Sequence, residues 1–228
     1  MKILALDTSA LTATAAVLDG DTIVCEESTT TKLTHSQTIM PMVDDLLRKA
    51  LLDIGDIDLF ACSVGPGSFT GLRIGIGTIK GLAYGCEKKV CAVSTLEALA
   101  HNIPFSDFLI APIMDARREQ VYNALYKWEN GKLITIEEPR AISIEELCTS
   151  LNKKTVFVGD GVKVYKEKIS VLLGDNALFA PPSHVLQRAS CVAIAALEKE
   201  AITPAELSAV YLRKPQAERE REERNEVK

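Results

Sequence analysis

The chain has 228 residues, 47% of them hydrophobic and 25% charged, and its formal net charge is −5. This composition indicates a soluble globular protein that is long enough for two lobes with separate cores. No run of eighteen apolar residues occurs, so no membrane-spanning helix is expected, and the early Asp7 argues against a secretory leader. We therefore expect a cytoplasmic protein whose acidic balance disfavours unaided binding to a nucleic-acid backbone.

Residues 1–102 are predicted to form a first α/β lobe that opens with an antiparallel meander. Its strongest pattern is an amphipathic helix in which Ile39, Met42 and Leu46 recur at helical spacing. Ser94 and Glu97 fit a capping box at the start of a later helix. In chain order, the predicted elements are strands at 2–7, 12–18 and 22–28, a helix at 34–52, a strand at 59–64, a helix at 70–85, a strand at 90–93 and a helix from 94.

Residues 103–215 repeat this order and are predicted to form a second lobe. Asn130 and Gly131 match the preferred two-residue turn of a β-hairpin. The predicted elements are strands at 108–114, 121–128 and 133–137, a helix at 143–151, a strand at 155–159, a helix at 162–173, a strand at 177–180 and a long apolar helix at 184–200. This last helix is a candidate to pack back on the first lobe, and residues 216–228 form a charged tail.

Residues 65–81 read Gly-Pro-Gly-Ser-Phe-Thr-Gly-Leu-Arg-Ile-Gly-Ile-Gly-Thr-Ile-Lys-Gly, which predicts a glycine-rich junction between a strand and a helix. A glycine inside a helix costs roughly 1 kcal/mol relative to alanine, so a close approach is expected to offset it. Gly77, Gly81 and Gly85 recur every fourth residue and therefore share one helix face. The spacing fits neither a Walker loop nor a dinucleotide-binding fingerprint, which favours helix packing over nucleotide binding.

The histidines and cysteines do not form a recognisable metal site. His35, His101 and His184 are far apart in the chain, and no two cysteines have C-x-x-C spacing. His35 stands near a predicted helix start, where it either caps the helix or approaches the turn at Gly65. Ser68 and Thr70 are predicted to cap the glycine-rich helix.

Asp7, Arg117 and Arg118 are candidates for contacts in a cleft between the lobes. Asp7 follows a strand, where it either aims its carboxylate into the cleft, as in magnesium-dependent phosphotransferases, or stabilises a turn. The two arginines follow the first strand of the second lobe. They either meet an anion or a partner's acid, or lie solvated on the surface.

Five segments carry a further pattern: Leu4-Ala5-Leu6-Asp7-Thr8-Ser9, Thr34-His35-Ser36 with Pro41, Gly65-Pro66-Gly67-Ser68-Phe69-Thr70-Gly71-Leu72-Arg73-Ile74-Gly75, Asp115-Ala116-Arg117-Arg118, and Tyr211-Leu212-Arg213. Together they resemble the TsaB (YeaZ) family, from the bacterial machinery that makes threonylcarbamoyladenosine in tRNA. The resemblance runs from Met1 to about Ala217. It implies an α/β fold of two duplicated actin-like (ASKHA, ribonuclease H-like) lobes, each a mixed sheet with flanking helices.

The resemblance also implies a role without catalysis. In the catalytic paralogue, TsaD, two histidines after the glycine-rich helix bind a metal, and Thr95 and Leu99 occupy those positions here. Neither side chain replaces an imidazole, so no catalytic residue, metal or cofactor is expected, and nucleotide is expected only at an interface with partner subunits. The implied partners are a TsaD-like catalytic subunit, a TsaE-like ATPase, a second copy of the chain when it is alone, and tRNA only through the complex.

The resemblance places the partner interface on the helices at 34–52 and 70–85. The expected interface residues are His35, Ile39, Met42, Leu46, Gly67, Ser68, Phe69, Thr70, Arg73, Gly77, Gly81 and Gly85. Three alternatives remain at this stage: an actin-fold phosphotransferase that uses Asp7, a metallopeptidase-like enzyme acting alone, and a homodimeric binding protein. Binding of Mg-ATP by the isolated chain would favour the first.

Overall fold

A computed structural model describes residues 1–31 and 33–213 of the chain. These residues form two five-stranded mixed sheets with flanking helices. The predicted tail at 216–228 lies outside the described residues. Within the described ranges, every helix is too short or too polar to cross a bilayer.

The first lobe has its helices α1 and α2 on one face of a mixed sheet. Its elements are β1 (Lys2–Asp7), β2 (Ala13–Asp19), β3 (Thr22–Thr29), α1 (His35–Ala50), β4 (Leu59–Gly65), α2 (Phe69–Gly85), β5 (Lys89–Ser94) and α3 (Thr95–Ala100). The strand order is β3-β2-β1-β4-β5, with an antiparallel meander followed by parallel pairing of β1, β4 and β5. Leu46, Phe60 and Ile79 belong to the core between this sheet and the two helices.

The second lobe is built in the same way. Its elements are β6 (Leu109–Asp115), β7 (Gln120–Glu129), β8 (Lys132–Ser143), α4 (Ile144–Ser150), β9 (Thr155–Val158), α5 (Gly161–Leu173) and β10 (Ala177–Phe179). Between β7 and β8, Asn130 and Gly131 both have positive φ, 52° and 77°, as the predicted hairpin turn requires. The strand order is β8-β7-β6-β9-β10.

The two sheets therefore repeat one topology. In both, three antiparallel strands come first, and the first of them then pairs in parallel with the fourth, which the fifth extends. This repetition confirms the predicted fold class of two duplicated actin-like lobes. The parallel strands of each lobe run so that the loops after β1 and β6 approach the same cavity between the lobes.

The last helix, α6 (Ala189–Ala196), is shorter than the predicted helix at 184–200. The residues before it are not helical, because their backbone serves other partners. The Asn102 side-chain amide donates to the carbonyl oxygens of His184 and Leu186, at 2.8 and 2.7 Å. The helix itself packs on the first sheet.

Helix α3 starts at the predicted position but lacks the predicted capping box. The Ser94 side chain makes no capping hydrogen bond. Glu97, the other member of the expected box, instead forms an ion pair with Lys199 at 2.8 Å. A tertiary partner has thus replaced the local one.

Residues 202–213, which we call the C-terminal strap, connect the two lobes after α6. The Val210 N–H donates to the carbonyl oxygen of Val64, in β4, at 2.7 Å. Three residues later, the Arg213 guanidinium donates to the carbonyl oxygen of Ala116 in the second lobe, at 3.1 Å. The strap is therefore anchored on both lobes.

Candidate functional site

The first group of glycines in the junction is explained by packing inside the chain. An added Cβ at Gly67, Gly71 or Gly75 would overlap backbone or hydroxyl oxygens of Thr8 and Ser9, in the loop after β1. The Thr8 hydroxyl also donates to the carbonyl oxygen of Gly71 at 2.8 Å. These glycines let the start of α2 lie directly against that loop.

The second group of glycines faces outward. Gly77, Gly81 and Gly85 are exposed, and an added Cβ at any of them would have no atom within 4 Å. Nothing in the described part of the chain therefore offsets their cost in helix stability, about 1 kcal/mol each. Large apolar side chains are also exposed on α1 and α2, including Met40 on α1 (46% exposed) and Tyr84 on α2 (60% exposed). We call these two residues and the three outer glycines the docking face.

Three of the expected interface residues do not belong to this face. Ile39, Met42 and Leu46 are 1%, 4% and 1% exposed, because the apolar stripe of α1 packs on its own sheet. Their assignment to a partner interface is therefore wrong. The helical pattern was correct, but it identified the inner face of the helix.

An aromatic cluster lies where α2 meets the C-terminal strap. The rings of Phe69 and Tyr211 are 4.8 Å apart between centroids, and the Arg73 guanidinium lies 3.8 Å from the centroid of the Phe69 ring. The Arg73 Nε also donates to the Tyr211 hydroxyl at 3.3 Å. Tyr211 was not among the expected site residues, and only its place in the Tyr211-Leu212-Arg213 segment could have drawn attention to it.

The other expected residues at the helix starts have local roles. The Ser68 hydroxyl caps α2 by accepting from the Gly71 N–H at 3.3 Å, as predicted. Thr70 is exposed and lies within the first turn, so it is not the cap. The His35 ring Nε2 donates to the carbonyl oxygen of Ala10 at 2.7 Å, which joins α1 to the loop after β1.

A cavity of about 630 Å³ separates the two lobes at this level. Both lobes and the strap contribute to its wall, as do the N-terminal ends of α1 and α2. Its charged and hydrogen-bonding residues include Ser9, His35, Ser68, Asp115, Arg117 and Arg213. The cavity thus contains charges of both signs.

Asp7 does not line this cavity, and its expected contact with a ligand there is wrong. The side chain is 1% exposed and accepts hydrogen bonds from the Ser9 N–H at 2.8 Å, the Ser9 hydroxyl at 2.6 Å and the Ser63 hydroxyl. Burial raises the pKa of this carboxyl, although these bonds oppose the shift. Asp7 therefore stabilises the turn after β1, which was the alternative role predicted for it.

Arg117 and Arg118 lie in the hairpin between β6 and β7, in an unusual backbone conformation. Arg117, Arg118 and Glu119 have consecutive positive φ values of 63°, 52° and 58°. The Arg117 N–H donates to an Asp115 carboxylate oxygen at 3.0 Å, and its guanidinium lies 3.8 Å from the other oxygen. The Arg117 side chain is 86% exposed and borders the cavity, where it can reach an anion.

Asp160 is a cavity residue that the sequence analysis missed. It stands between β9 and α5, and burial, followed by the charge of Asp115, raises its pKa to about 6. Asp115 in turn accepts from the Tyr165 hydroxyl at 3.2 Å. The approach of these two acids depends on strand pairing between β6 and β9, which no short motif reveals.

Thr95 and Leu99, at the positions where the resemblance implies metal-binding histidines in a catalytic paralogue, are 0% and 1% exposed. Leu99 belongs to an apolar core cluster, Thr95 is fully buried, and neither residue lines the cavity between the lobes. Over residues 1–31 and 33–213, no three histidine, cysteine or acidic side chains come together in a way that would hold a metal ion.

A family model and several relatives match this chain. The model described as TsaD, tRNA N6-adenosine threonylcarbamoyltransferase, matches residues 24–219. The protein named tRNA threonylcarbamoyladenosine biosynthesis protein TsaB from Bacillus subtilis (strain 168) is 37% identical over 221 residues, or 96% of each chain. The Escherichia coli (strain K12) protein of the same name is 31% identical over 227 residues, covering 93% of this chain and 95% of its own.

Solved structures agree with this result. YeaZ from Pseudomonas aeruginosa is 26% identical, has a TM-score of 0.78, and covers 92% of this chain and 99% of its own. The likeness therefore extends over both lobes. Sequence identity, coverage and fold together confirm the predicted resemblance, and the chain belongs to the TsaB (YeaZ) family.

Proposed function

We propose that this chain is a non-catalytic, activating subunit of the cytoplasmic machinery that transfers a threonylcarbamoyl group to adenosine in tRNA. In this role it pairs through the docking face with a TsaD-like catalytic paralogue. The names of its relatives support the pathway, since they describe proteins of tRNA threonylcarbamoyladenosine biosynthesis.

The observation that carries the proposal is the contrast between the two groups of glycines. Gly67, Gly71 and Gly75 are required by contacts inside the chain. At Gly77, Gly81 and Gly85, no described atom lies close enough to explain the absence of a side chain. Small residues along one helix face allow a second helix to approach closely. A helix of a partner subunit supplies the missing contact.

The proposal that this chain is non-catalytic is supported by the residues that stand at the expected metal-ligand positions. Thr95 and Leu99 are packed in the interior, where neither can ligate a metal or meet a substrate. A phosphotransferase that uses Asp7 is disfavoured, because this carboxylate is buried and occupied by Ser9 and Ser63. The chain therefore acts on the reaction through the partner.

The same face accounts for the other proposed partners. A second copy of the chain covers it when the paralogue is absent, and the paralogue displaces this copy. A TsaE-like ATPase joins the resulting complex, nucleotide binds only at an interface between subunits, and no cofactor resides in the isolated chain. The catalytic subunit holds most of the tRNA, which agrees with the net charge of −5 on this chain.

A bulky substitution on the docking face tests the proposal. We expect Gly81→Leu to abolish co-elution with the TsaD-like subunit in size-exclusion chromatography, and to abolish tRNA modification in a purified system. The isolated variant should remain folded, because the position is open in the described structure. Circular dichroism verifies this last point.

Gly55→Leu is the matched control. Gly55 is also exposed, has no described atom within 4 Å of an added Cβ, and lies outside α1 and α2. This control should co-elute and support modification as the unmodified chain does. Normal co-elution of Gly81→Leu, or full tRNA modification without this chain, would contradict the proposal.

A further inference from the structure

An exposed group of aromatic rings lies at the end of the second sheet, away from the docking face. Phe105 and Phe108 are 76% and 40% exposed. The ring of Phe105 lies 5.4 Å from that of Trp128, which also contacts the edge of His101 at 5.5 Å. The Trp128 indole N–H donates to the carbonyl oxygen of Ile103 at 2.7 Å, so the tryptophan is fixed while Phe105 presents its ring to solvent.

Phe105 combines an unfavourable backbone conformation with an exposed side chain, so core packing does not explain its conformation. Its φ is 53°, in the left-handed region that a bulky side chain rarely adopts. Strain of this kind, together with exposure of a large apolar ring, is typical of residues kept for binding. The ring is held against Trp128 instead of being buried in the core.

Lysines surround these rings in an otherwise acidic protein. The Lys154 ammonium lies 5.9 Å from the centroid of the Phe108 ring, and Lys153 is exposed beside it. This end of the sheet carries four lysines and three acids, namely Lys127, Lys132, Lys153 and Lys154 with Asp107, Glu129 and Asp175. No salt bridge among the described residues involves Lys132, Lys153 or Lys154, and only Lys127 is paired, with Glu129 at 3.1 Å. Three ammonium groups at this end of the sheet therefore have no carboxylate partner among the described residues.

We infer that Phe105, Phe108, Trp128, Lys153 and Lys154, which we call the aromatic ledge, bind an unpaired nucleotide of RNA. An exposed ring stacks on a base of any sequence, and the adjacent ammonium groups meet the phosphates. An apolar surface of a partner protein would pack against the rings, but it would offer no negative charge to the unpaired lysines. The inference rests on the proposed function in taking tRNA as the natural RNA, and it adds a direct contact where only an indirect one was expected.

The experiment uses the tryptophan as a built-in reporter, because Trp128 is the single tryptophan of the chain. Oligoadenylate of about ten nucleotides is titrated into the full chain at about 50 mM salt, where weak phosphate contacts are retained. We expect quenching of tryptophan fluorescence and a rise in anisotropy of end-labelled RNA. Phe105→Leu should weaken binding by roughly 5- to 150-fold, the range of one lost stacking contact. Phe105→Tyr should preserve binding.

The lysines are tested by salt dependence. Lys153→Gln with Lys154→Gln should reduce the slope of log K against log salt by about one to two. The matched control is Lys88→Gln with Lys89→Gln, an adjacent pair of lysines in the first lobe that should leave the slope unchanged. Circular dichroism of each variant verifies folding.

Two outcomes overturn the inference. One is the absence of both quenching and anisotropy change at low salt. The other is RNA binding by Phe105→Leu that equals that of the unmodified chain, and loss of co-elution with the catalytic subunit in this variant would identify the ledge as a protein interface. Absence of RNA binding leaves the docking-face proposal standing, whereas normal co-elution of Gly81→Leu contradicts that proposal and leaves RNA binding by the ledge intact.

Discussion

Asp160 lies in the cavity wall with its carboxylate largely removed from water. Its pKa of about 6 is above the ordinary value of 3.8, because burial and then the nearby charge of Asp115 disfavour the ionised form. The folded chain therefore binds this proton more tightly than the unfolded chain does. The corresponding stability is fully present below about pH 4 and is lost as pH rises to about 6.

Asp160→Asn removes this dependence on pH. A difference of about two pKa units corresponds to about 3 kcal/mol, so the variant should gain up to about 3 kcal/mol in free energy of unfolding at pH 7.5 and almost nothing at pH 4. Urea unfolding at the two pH values measures the change. Asp107→Asn, at an exposed aspartate, should show neither effect. An equal change at both pH values would mean that the carboxyl titrates normally.

The roles of single residues in the candidate site could be predicted from the sequence only where a short segment of the chain determines them. The cap at Ser68 follows from its position before a helix, and the exposed line containing Gly81 follows from helical spacing. Tyr211 contacts Arg73 across 138 positions of sequence, and Asp160 meets Asp115 through strand pairing. Spacing along the chain contains no information on such contacts.

At the scale of the element, the glycines of α2 lie on two faces, an inner one and an exposed one. Substitution by alanine should change the free energy of unfolding in opposite directions on the two faces. Gly81→Ala should raise the free energy of unfolding of the isolated chain by about 0.5–1 kcal/mol, because the site is open and alanine favours the helix. Gly75→Ala should lower it by about 1–3 kcal/mol, since the new Cβ would overlap the Thr8 hydroxyl. Chemical unfolding of both variants at low protein concentration measures the difference in sign.

The two results also bear on function. Gly81→Ala should weaken pairing with the catalytic subunit even though it stabilises the chain, because a methyl group would separate the two helices. A stabilised variant with unchanged affinity for the partner would show that Gly81 lies outside the interface.

Most helices and strands were predicted within a few residues, because their patterns are local. The exceptions have tertiary causes. The strand predicted at 133–137 continues to Ser143, because it pairs with β7 along this length. The start of α6 was misplaced because Asn102 holds the preceding backbone in turns and bends, and the capping box at Ser94 was lost to the ion pair of Glu97 with Lys199. For α1, the apolar stripe was recognised, but a stripe does not tell whether its own sheet or a partner covers it.

At the scale of the whole molecule, the relation between the lobes depends partly on the C-terminal strap. Its Val210 is fixed on β4, and Gly65 has no room for a side chain there because an added Cβ would overlap the Val210 carbonyl oxygen. Three residues later, the Arg213 guanidinium donates to the carbonyl oxygen of Ala116. This residue precedes the turn of the β6–β7 hairpin, whose residues from Arg117 to Glu119 have positive φ. The strap therefore restrains a hairpin of the opposite lobe at the edge of the cavity.

Arg213→Ala should loosen this hairpin without unfolding either lobe. Loss of a hydrogen bond from a charged donor lowers local stability by about 1.5–3 kcal/mol, so the amide of Gln120, which donates to the Arg117 carbonyl oxygen, should exchange with solvent roughly 10- to 150-fold faster. Hydrogen exchange followed by mass spectrometry measures this rate. Arg48→Ala is the control, because the Arg48 side chain is 72% exposed and, among residues 1–31 and 33–213, forms a salt bridge only with Asp45 on its own helix. Equal protection of the hairpin in both variants would show that the strap does not restrain the second lobe.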